Sequence, residues 1–94
     1  MATNENYLQF FTATVLEWKH LLKDDAIKEI ITSSLRFLVE NKRVIIYSFV
    51  IMPNHIHLIW HIQSGHKQSD VQRDFLKYTS QQIKFYLQKK TLLF

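Results

Sequence analysis

Aromatic and β-branched residues are concentrated near the start of the chain, and a helical pattern follows them. The segment from Tyr7 to Trp18 is rich in residue types that suit a pleated surface, so it predicts a first strand. Asp24 and Asp25 then precede apolar residues spaced three and four apart, which is the spacing of one helix face. Because acidic residues stabilise the positive end of the helix dipole, the helix is predicted to begin there and to end near Asn41.

Two further apolar runs predict a hairpin. The first, Val44 to Met52, is rich in β-branched residues and too short for a long helix, which indicates a central strand. The second run, His55 to Ile62, begins after Pro53-Asn54. Because proline lacks an amide donor and asparagine tolerates turn geometry, this dipeptide predicts the turn between the second and third strands.

A polar loop that contains the only glycine separates the hairpin from the last predicted element. Ser69-Asp70 are predicted to cap a second helix that runs to about Lys90. The predicted order is therefore β-α-β-β-α. With 94 residues, the chain is expected to form a single domain.

The amino-acid composition excludes some kinds of site and indicates the kind of partner. The absence of cysteine excludes disulfides and thiolate metal sites, and leaves histidine, carboxylate and amide groups as ligands. The longest strongly apolar run is far shorter than the ~20 residues that a membrane span needs, so a cytoplasmic protein is expected. The net charge of +4 and the isoelectric point near 9.5 favour polyanionic partners such as nucleic acid.

Histidines recur along the predicted third strand. Since alternate residues share a face, His55, His57 and His61 are predicted to point the same way. The first two would lie about 7 Å apart along the strand, a distance that two imidazoles can close onto one metal ion. An alternative is a pair of partly exposed polar residues without a metal. His61 is either a third ligand, a phosphate contact or simply an exposed strand residue.

The residues around these histidines carry a resemblance to a known family. The segment from Phe49 to Trp60 reads Phe-Val-Ile-Met-Pro-Asn-His-Ile-His-Leu-Ile-Trp. It resembles the signature of the single-tyrosine transposases of insertion sequences and other mobile elements, which carry a His-hydrophobic-His (HUH) motif, and in particular the REP-associated branch. The resemblance continues through residues 21–30, 38–43 and 71–84, and so covers nearly the whole chain.

The resemblance implies an α+β fold, in which an antiparallel sheet has helices packed on one face, as in ferredoxin-like and RNA-recognition domains. It implies that His55 and His57 hold a divalent ion, Mg²⁺ or Mn²⁺, that polarises a DNA phosphate, while Asn54 helps to shape the turn. A tyrosine on a later helix would attack that phosphate and leave a 5′-phosphotyrosine and a free 3′-hydroxyl. Single-stranded or hairpin DNA is the implied partner, and a homodimer is expected.

The end of the chain departs from the family pattern. Family members continue into a segment with a Tyr-Ile-x-x-Asn-Pro-like motif that supplies the nucleophile, whereas Pro53 is the only proline here. Residues 1–94 are therefore expected to be one transposase-type domain, incomplete at the C-terminus and inactive alone. Tyr78, on the second helix, is the first candidate for a substitute nucleophile and Tyr86 the second.

The alternative for Tyr78 is a place in a core-facing stripe with Val71, Phe75 and Phe85.

The candidate contacts to DNA also have structural alternatives. A row of basic residues on the second helix could contact phosphates or be a solvated face; its members are Arg73, Lys77 and Lys84. Three aromatic residues could stack on unpaired bases or belong to the core; they are Phe10, Phe11 and Trp60.

Three functions remain open at this point. The first is a transposase that nicks single-stranded DNA and transfers the strand through a phosphotyrosine. The second is a non-catalytic remnant that binds single-stranded or hairpin DNA or a like subunit. The third is a small basic interaction domain with an incidental histidine pair, and the motif around the pair disfavours it.

Overall fold

The computed structural model describes residues 8–14 and 21–92. Three strands, two α-helices and one short 3₁₀ turn follow in the order β1 (Leu8–Thr14), a 3₁₀ turn (Leu21–Lys23), α1 (Asp25–Glu40), β2 (Val44–Met52), β3 (His55–Ile62) and α2 (Gln68–Leu92). The predicted β-α-β-β-α order is confirmed, and part of the predicted first strand lies outside the described residues. In the described part of the chain, neither helix combines the length and the apolar character that a membrane span requires.

The strands form one antiparallel sheet in the order β1-β3-β2, so β3 is central. Met52 pairs with His55 across the hairpin turn, as the pattern predicted. A bulge in β2 between Ile46 and Ser48 shifts the register near the far end of the hairpin. Helices α1 and α2 both pack on the same face of the sheet, and this confirms the predicted α+β class.

The core lies between that face and the helices. Strand β3 contributes four buried side chains, Ile56, Leu58, Trp60 and Ile62, and the helices contribute most of the rest. Phe11 of β1 stacks on Trp60 with ring centroids 5.5 Å apart, and Phe75 of α2 meets the Trp60 ring edge-on at 6.1 Å. Phe11 and Trp60 are thus core residues, whereas Phe10 lies on the opposite face with 76% of its surface exposed.

Local side chains fix the ends of α1. The Asp24 Oδ1 atom accepts a hydrogen bond from the Ala26 amide at 2.8 Å, and the Asn41 Nδ2 atom donates to the Phe37 carbonyl at 2.8 Å. The predicted bounds of α1 are confirmed. The predicted cap of α2 is wrong, because this helix already begins at Gln68 and the Val71 amide donates to the Lys67 carbonyl at 3.0 Å.

The start of α1 is tied to the last turns of α2. The Tyr86 hydroxyl donates to Asp24 Oδ2 at 2.9 Å, and the Lys90 ammonium lies 3.5 Å from the same oxygen. The hydrogen bond from Tyr86 is the largest cause that lowers the pKa of the Asp24 carboxyl, and the same bond raises the pKa of Tyr86. The Asp24 carboxylate therefore caps the start of α1 and also contacts two side chains near the end of α2.

We expect Tyr86→Phe to lower the free energy of unfolding near neutral pH, because Asp24 loses a donor to its ionised form. The pKa of Asp24 is lowered in the folded protein, so this contribution is present above the unfolded value of about 3.9 and is lost as the pH falls through the folded value. Urea unfolding should show a difference between the two proteins that shrinks in acid. Tyr47→Phe, the same change at an exposed tyrosine of β2, is the control. A difference of equal size in acid would contradict this account.

Candidate metal centre

The histidines of β3 lie on the sheet face that the helices leave open. Burial alternates along the strand, with Ile56 and Leu58 in the core and His55 and His57 on the other side. The two imidazole rings have centroids 4.6 Å apart and planes at 86° to one another. The prediction that these two histidines share a face is confirmed, and their rings are close enough to approach one ion.

Each of the two imidazoles has a polar neighbour at its Nδ1 atom. The Asn54 Oδ1 atom lies 2.7 Å from Nδ1 of His55, and the Thr12 Oγ1 atom lies 3.0 Å from Nδ1 of His57. Thr12 reaches its histidine because it stands directly opposite His57 in the pairing of β1 with β3. Sequence reasoning missed the Thr12 contact, which joins residues 45 positions apart.

The pair presents two imidazole nitrogens of the kind that bind divalent metal ions. No group of three or more metal-ligating side chains occurs within residues 8–14 and 21–92, so the structure does not bring His61 into a cluster with the pair. Because both Nδ1 atoms have hydrogen-bond partners, the Nε2 atoms are the available ligands. Two imidazoles and open positions for water or phosphate oxygen fit a divalent ion such as Mn²⁺.

Apart from the polar neighbours Asn54 and Thr12, and Thr14 opposite His55, the open face around the pair carries mainly apolar side chains. None of the described strands contains a lysine or an arginine. Residues that share the open face with the histidines include Leu8 and Phe10 on β1 and Val50 and Met52 on β2, all at least 40% exposed. The described strands therefore bring no lysine or arginine side chain to a phosphate on this face.

The basic row of α2 lies elsewhere. Arg73, Lys77 and Lys84 are four and seven positions apart, so they share one side of α2. This side is opposite the buried stripe that contains Val71 and Phe75. The Arg73 guanidinium lies 3.4 Å from an oxygen of Asp70 and 3.3 Å from one of Asp74. Lys77 and Lys84 are exposed and form no ion pair with the described residues. The structure brings none of the three to the histidines.

Tyr78 also belongs to the helix layer. Its ring stacks on Phe37 of α1 with centroids 6.3 Å apart, and 51% of its surface is exposed. The predicted core-facing stripe is wrong at Tyr78 and at Phe85, because the buried positions of α2 continue from Phe75 to Thr79. The sheet separates Tyr78 from the histidines.

Tyr86, the second candidate nucleophile, is engaged in the bond to Asp24. Its raised pKa opposes formation of the phenolate. Like Tyr78, it projects from a helix that packs on the face away from the histidines.

The chain matches a family model and resembles a solved structure. A family model described as IS200-like transposase matches residues 7–92. A solved REP-associated tyrosine transposase, bound to a REP hairpin, is similar in fold, with a TM-score of 0.64 at 20% sequence identity. The match covers 86% of this chain and 52% of that one, so the chain spans about half the length of this structural relative. No curated protein matches the chain.

Proposed function

The chain belongs to the IS200-like transposase family, and from this premise we propose that it is the metal-binding and DNA-binding part of a transposase that acts on single-stranded or hairpin DNA. The observation that carries the proposal is the pair His55 and His57, with ring centroids 4.6 Å apart on an open sheet face. The REP-hairpin ligand of the structural relative supports DNA of this kind as the partner.

In this proposal His55 and His57 hold a divalent ion, Mn²⁺ or Mg²⁺, through their Nε2 atoms. A bound ion stabilises the negative charge that develops on the non-bridging oxygens of a phosphodiester. The two histidine rings would hold that ion on the open face of the sheet. Imidazole ligands favour Mn²⁺ over Mg²⁺, which prefers oxygen ligands.

The reaction proposed for the whole protein is strand transfer through a tyrosine. The phenol oxygen bonds to phosphorus while the 3′-oxygen leaves, so a 5′-phosphotyrosine replaces one phosphodiester bond and conserves its energy for rejoining. Within one copy of this chain, the stacking of Tyr78 on Phe37 and the bond from Tyr86 to Asp24 support a nucleophile other than these two. We therefore propose that these 94 residues alone do not complete the reaction.

Contacts to DNA are proposed at two separate places. Lys77 and Lys84 attract phosphates from the outer side of α2. Arg73 contributes less because it pairs with Asp70 and with Asp74, which also pairs with Arg43. Phe10, exposed on the histidine face, offers a ring on which an unpaired base can stack. The expected homodimer stays a prediction, motivated by β1 and β2, which are both edge strands within the described sheet.

Replacement of either paired histidine is expected to weaken metal binding by more than about tenfold, because each supplies one of two nitrogen ligands. Calorimetric titration of His55→Ala and His57→Ala with Mn²⁺ or Ni²⁺ measures the loss. His61→Ala, on the same strand face, is the matched control and should bind like the parent. Variants that bind the ion as tightly as the parent would refute the metal site.

Affinity for a single-stranded or hairpin oligonucleotide is expected to fall as the salt concentration rises. Each lost phosphate contact should reduce the slope of log K against log salt by about 0.7 for a single strand. Lys77→Ala and Lys84→Ala should each lower the slope, and Arg73→Ala should lower it less because of its two ion pairs. Binding that does not depend on salt, or no binding at low salt, would count against the role of the row.

The protein of 94 residues is expected to form no covalent adduct with DNA, because a phenol oxygen must lie in line with the scissile bond and Tyr78 and Tyr86 lie across the sheet from the histidines. Incubation with a labelled hairpin and Mn²⁺, followed by a denaturing gel, should show no protein-linked label. An adduct that is lost in Tyr78→Phe would identify Tyr78 as the nucleophile. An adduct that is lost only in Tyr86→Phe would identify Tyr86.

A further inference from the structure

The contact between Asn54 and His55 bears on which ring nitrogen of His55 carries the proton. An amide oxygen only accepts hydrogen bonds, so with Asn54 Oδ1 oriented 2.7 Å from Nδ1 the contact is a hydrogen bond only when Nδ1 carries the proton. A neutral imidazole carries one proton, and its Nε2 atom then keeps a lone pair. This is the tautomer that a ligand to a metal through Nε2 needs.

The turn does not depend on the Asn54 side chain. Lys42, at 57°, is the one described non-glycine residue with a positive φ, so Asn54 is not needed for a left-handed backbone. The turn is closed by the pairing of Met52 with His55, and the Pro53 carbonyl accepts a hydrogen bond from the Leu22 amide at 2.9 Å. Main-chain contacts therefore hold the turn, and the Asn54 side chain is left to act on His55.

Thr12 has a related but different effect on His57. Its hydroxyl lies 3.0 Å from Nδ1 and can either donate or accept a hydrogen bond. When Nε2 binds a metal, only the arrangement in which Nδ1 donates to the Thr12 oxygen is possible. Because Thr12 is fixed opposite His57 by strand pairing, this acceptor stays in place.

We propose that Asn54 and Thr12 are positioning residues that hold His55 and His57 as Nε2 ligands, Asn54 by setting the tautomer before metal binds and Thr12 by accepting the Nδ1 proton once it does. This inference rests on the proposed function because it takes the histidine pair as a metal site. Partners of this kind orient the ring and raise its basicity, and their loss costs about 10-fold to 100-fold in metal affinity.

The tautomer can be read in the metal-free protein. Long-range proton–nitrogen NMR spectra, recorded with the imidazoles neutral, distinguish protonated from unprotonated ring nitrogens. We expect His55 to carry its proton on Nδ1 in the parent and in Asn54→Asp, which keeps an acceptor, and to shift toward Nε2 protonation in Asn54→Leu. His61 and His66 serve as internal references. A His55 spectrum unchanged in Asn54→Leu would overturn the role of Asn54.

Metal affinity tests both residues independently of catalysis. We expect Asn54→Leu and Thr12→Val to weaken binding of Mn²⁺ or Ni²⁺ by about 10-fold to 100-fold, and Asn54→Asp and Thr12→Ser to restore it. Thr14→Val makes the same chemical change on the same face of β1 and should bind like the parent. Parent-like affinity in Thr12→Val would overturn the role of Thr12.

The histidine variants and the Asn54 and Thr12 variants together distinguish failure of the positioning role from failure of the metal site. If His55→Ala and His57→Ala abolish metal binding while Asn54→Leu and Thr12→Val do not change it, the metal site stands and the positioning role fails. If the parent binds no metal, the proposed site and the Thr12 role both fail, and the spectra of His55 alone decide whether Asn54 sets its tautomer.

Discussion

Strand β3 is hydrogen-bonded to a neighbour along both of its edges, so its register cannot shift without breaking two ladders. A slip by one residue would bring His57 into the core and expose Trp60, which is fully buried. Burial of an unpaired imidazole and exposure of a large indole both cost free energy. The packing of the core thus keeps the histidines on the open face, where a metal and a phosphate can reach them.

Because both helices pack on one face of the sheet, the candidate metal ligands and the tyrosines of α2 lie on opposite sides of it. Histidine nitrogens lie on one side, whereas the phenols of α2 and the cations of its outer side lie on the other. A tyrosine that attacks a phosphate at the pair has to approach from the open face. Under the proposed function, the nucleophile therefore comes from outside the layer that α1 and α2 form.

Features that depend on neighbours in sequence were predictable, and those that depend on distant pairing were not. The bounds of α1 follow from Asp24 and Asn41, which cap it locally, and the faces of β3 follow from strict alternation. Tyr78 was misplaced because α2 packs against both the sheet and α1, so its apolar surface is wider than one stripe. The contact between Thr12 and His57 required the register between β1 and β3, which no local pattern contains.

The distribution of charge bears on how DNA would engage the two sides of the molecule. Since the described strands contain no lysine or arginine, the proposed function assigns the attraction of a phosphate to the histidine face to the bound ion. Attraction to Lys77 and Lys84 on α2 requires no metal and is screened by salt. Under the proposed function, non-specific affinity and engagement at the metal therefore arise on opposite faces and respond to different conditions. DNA that is bound only by the lysines does not have a phosphate at the metal. Under the proposed function, the bound ion is what places a DNA phosphate for the reaction.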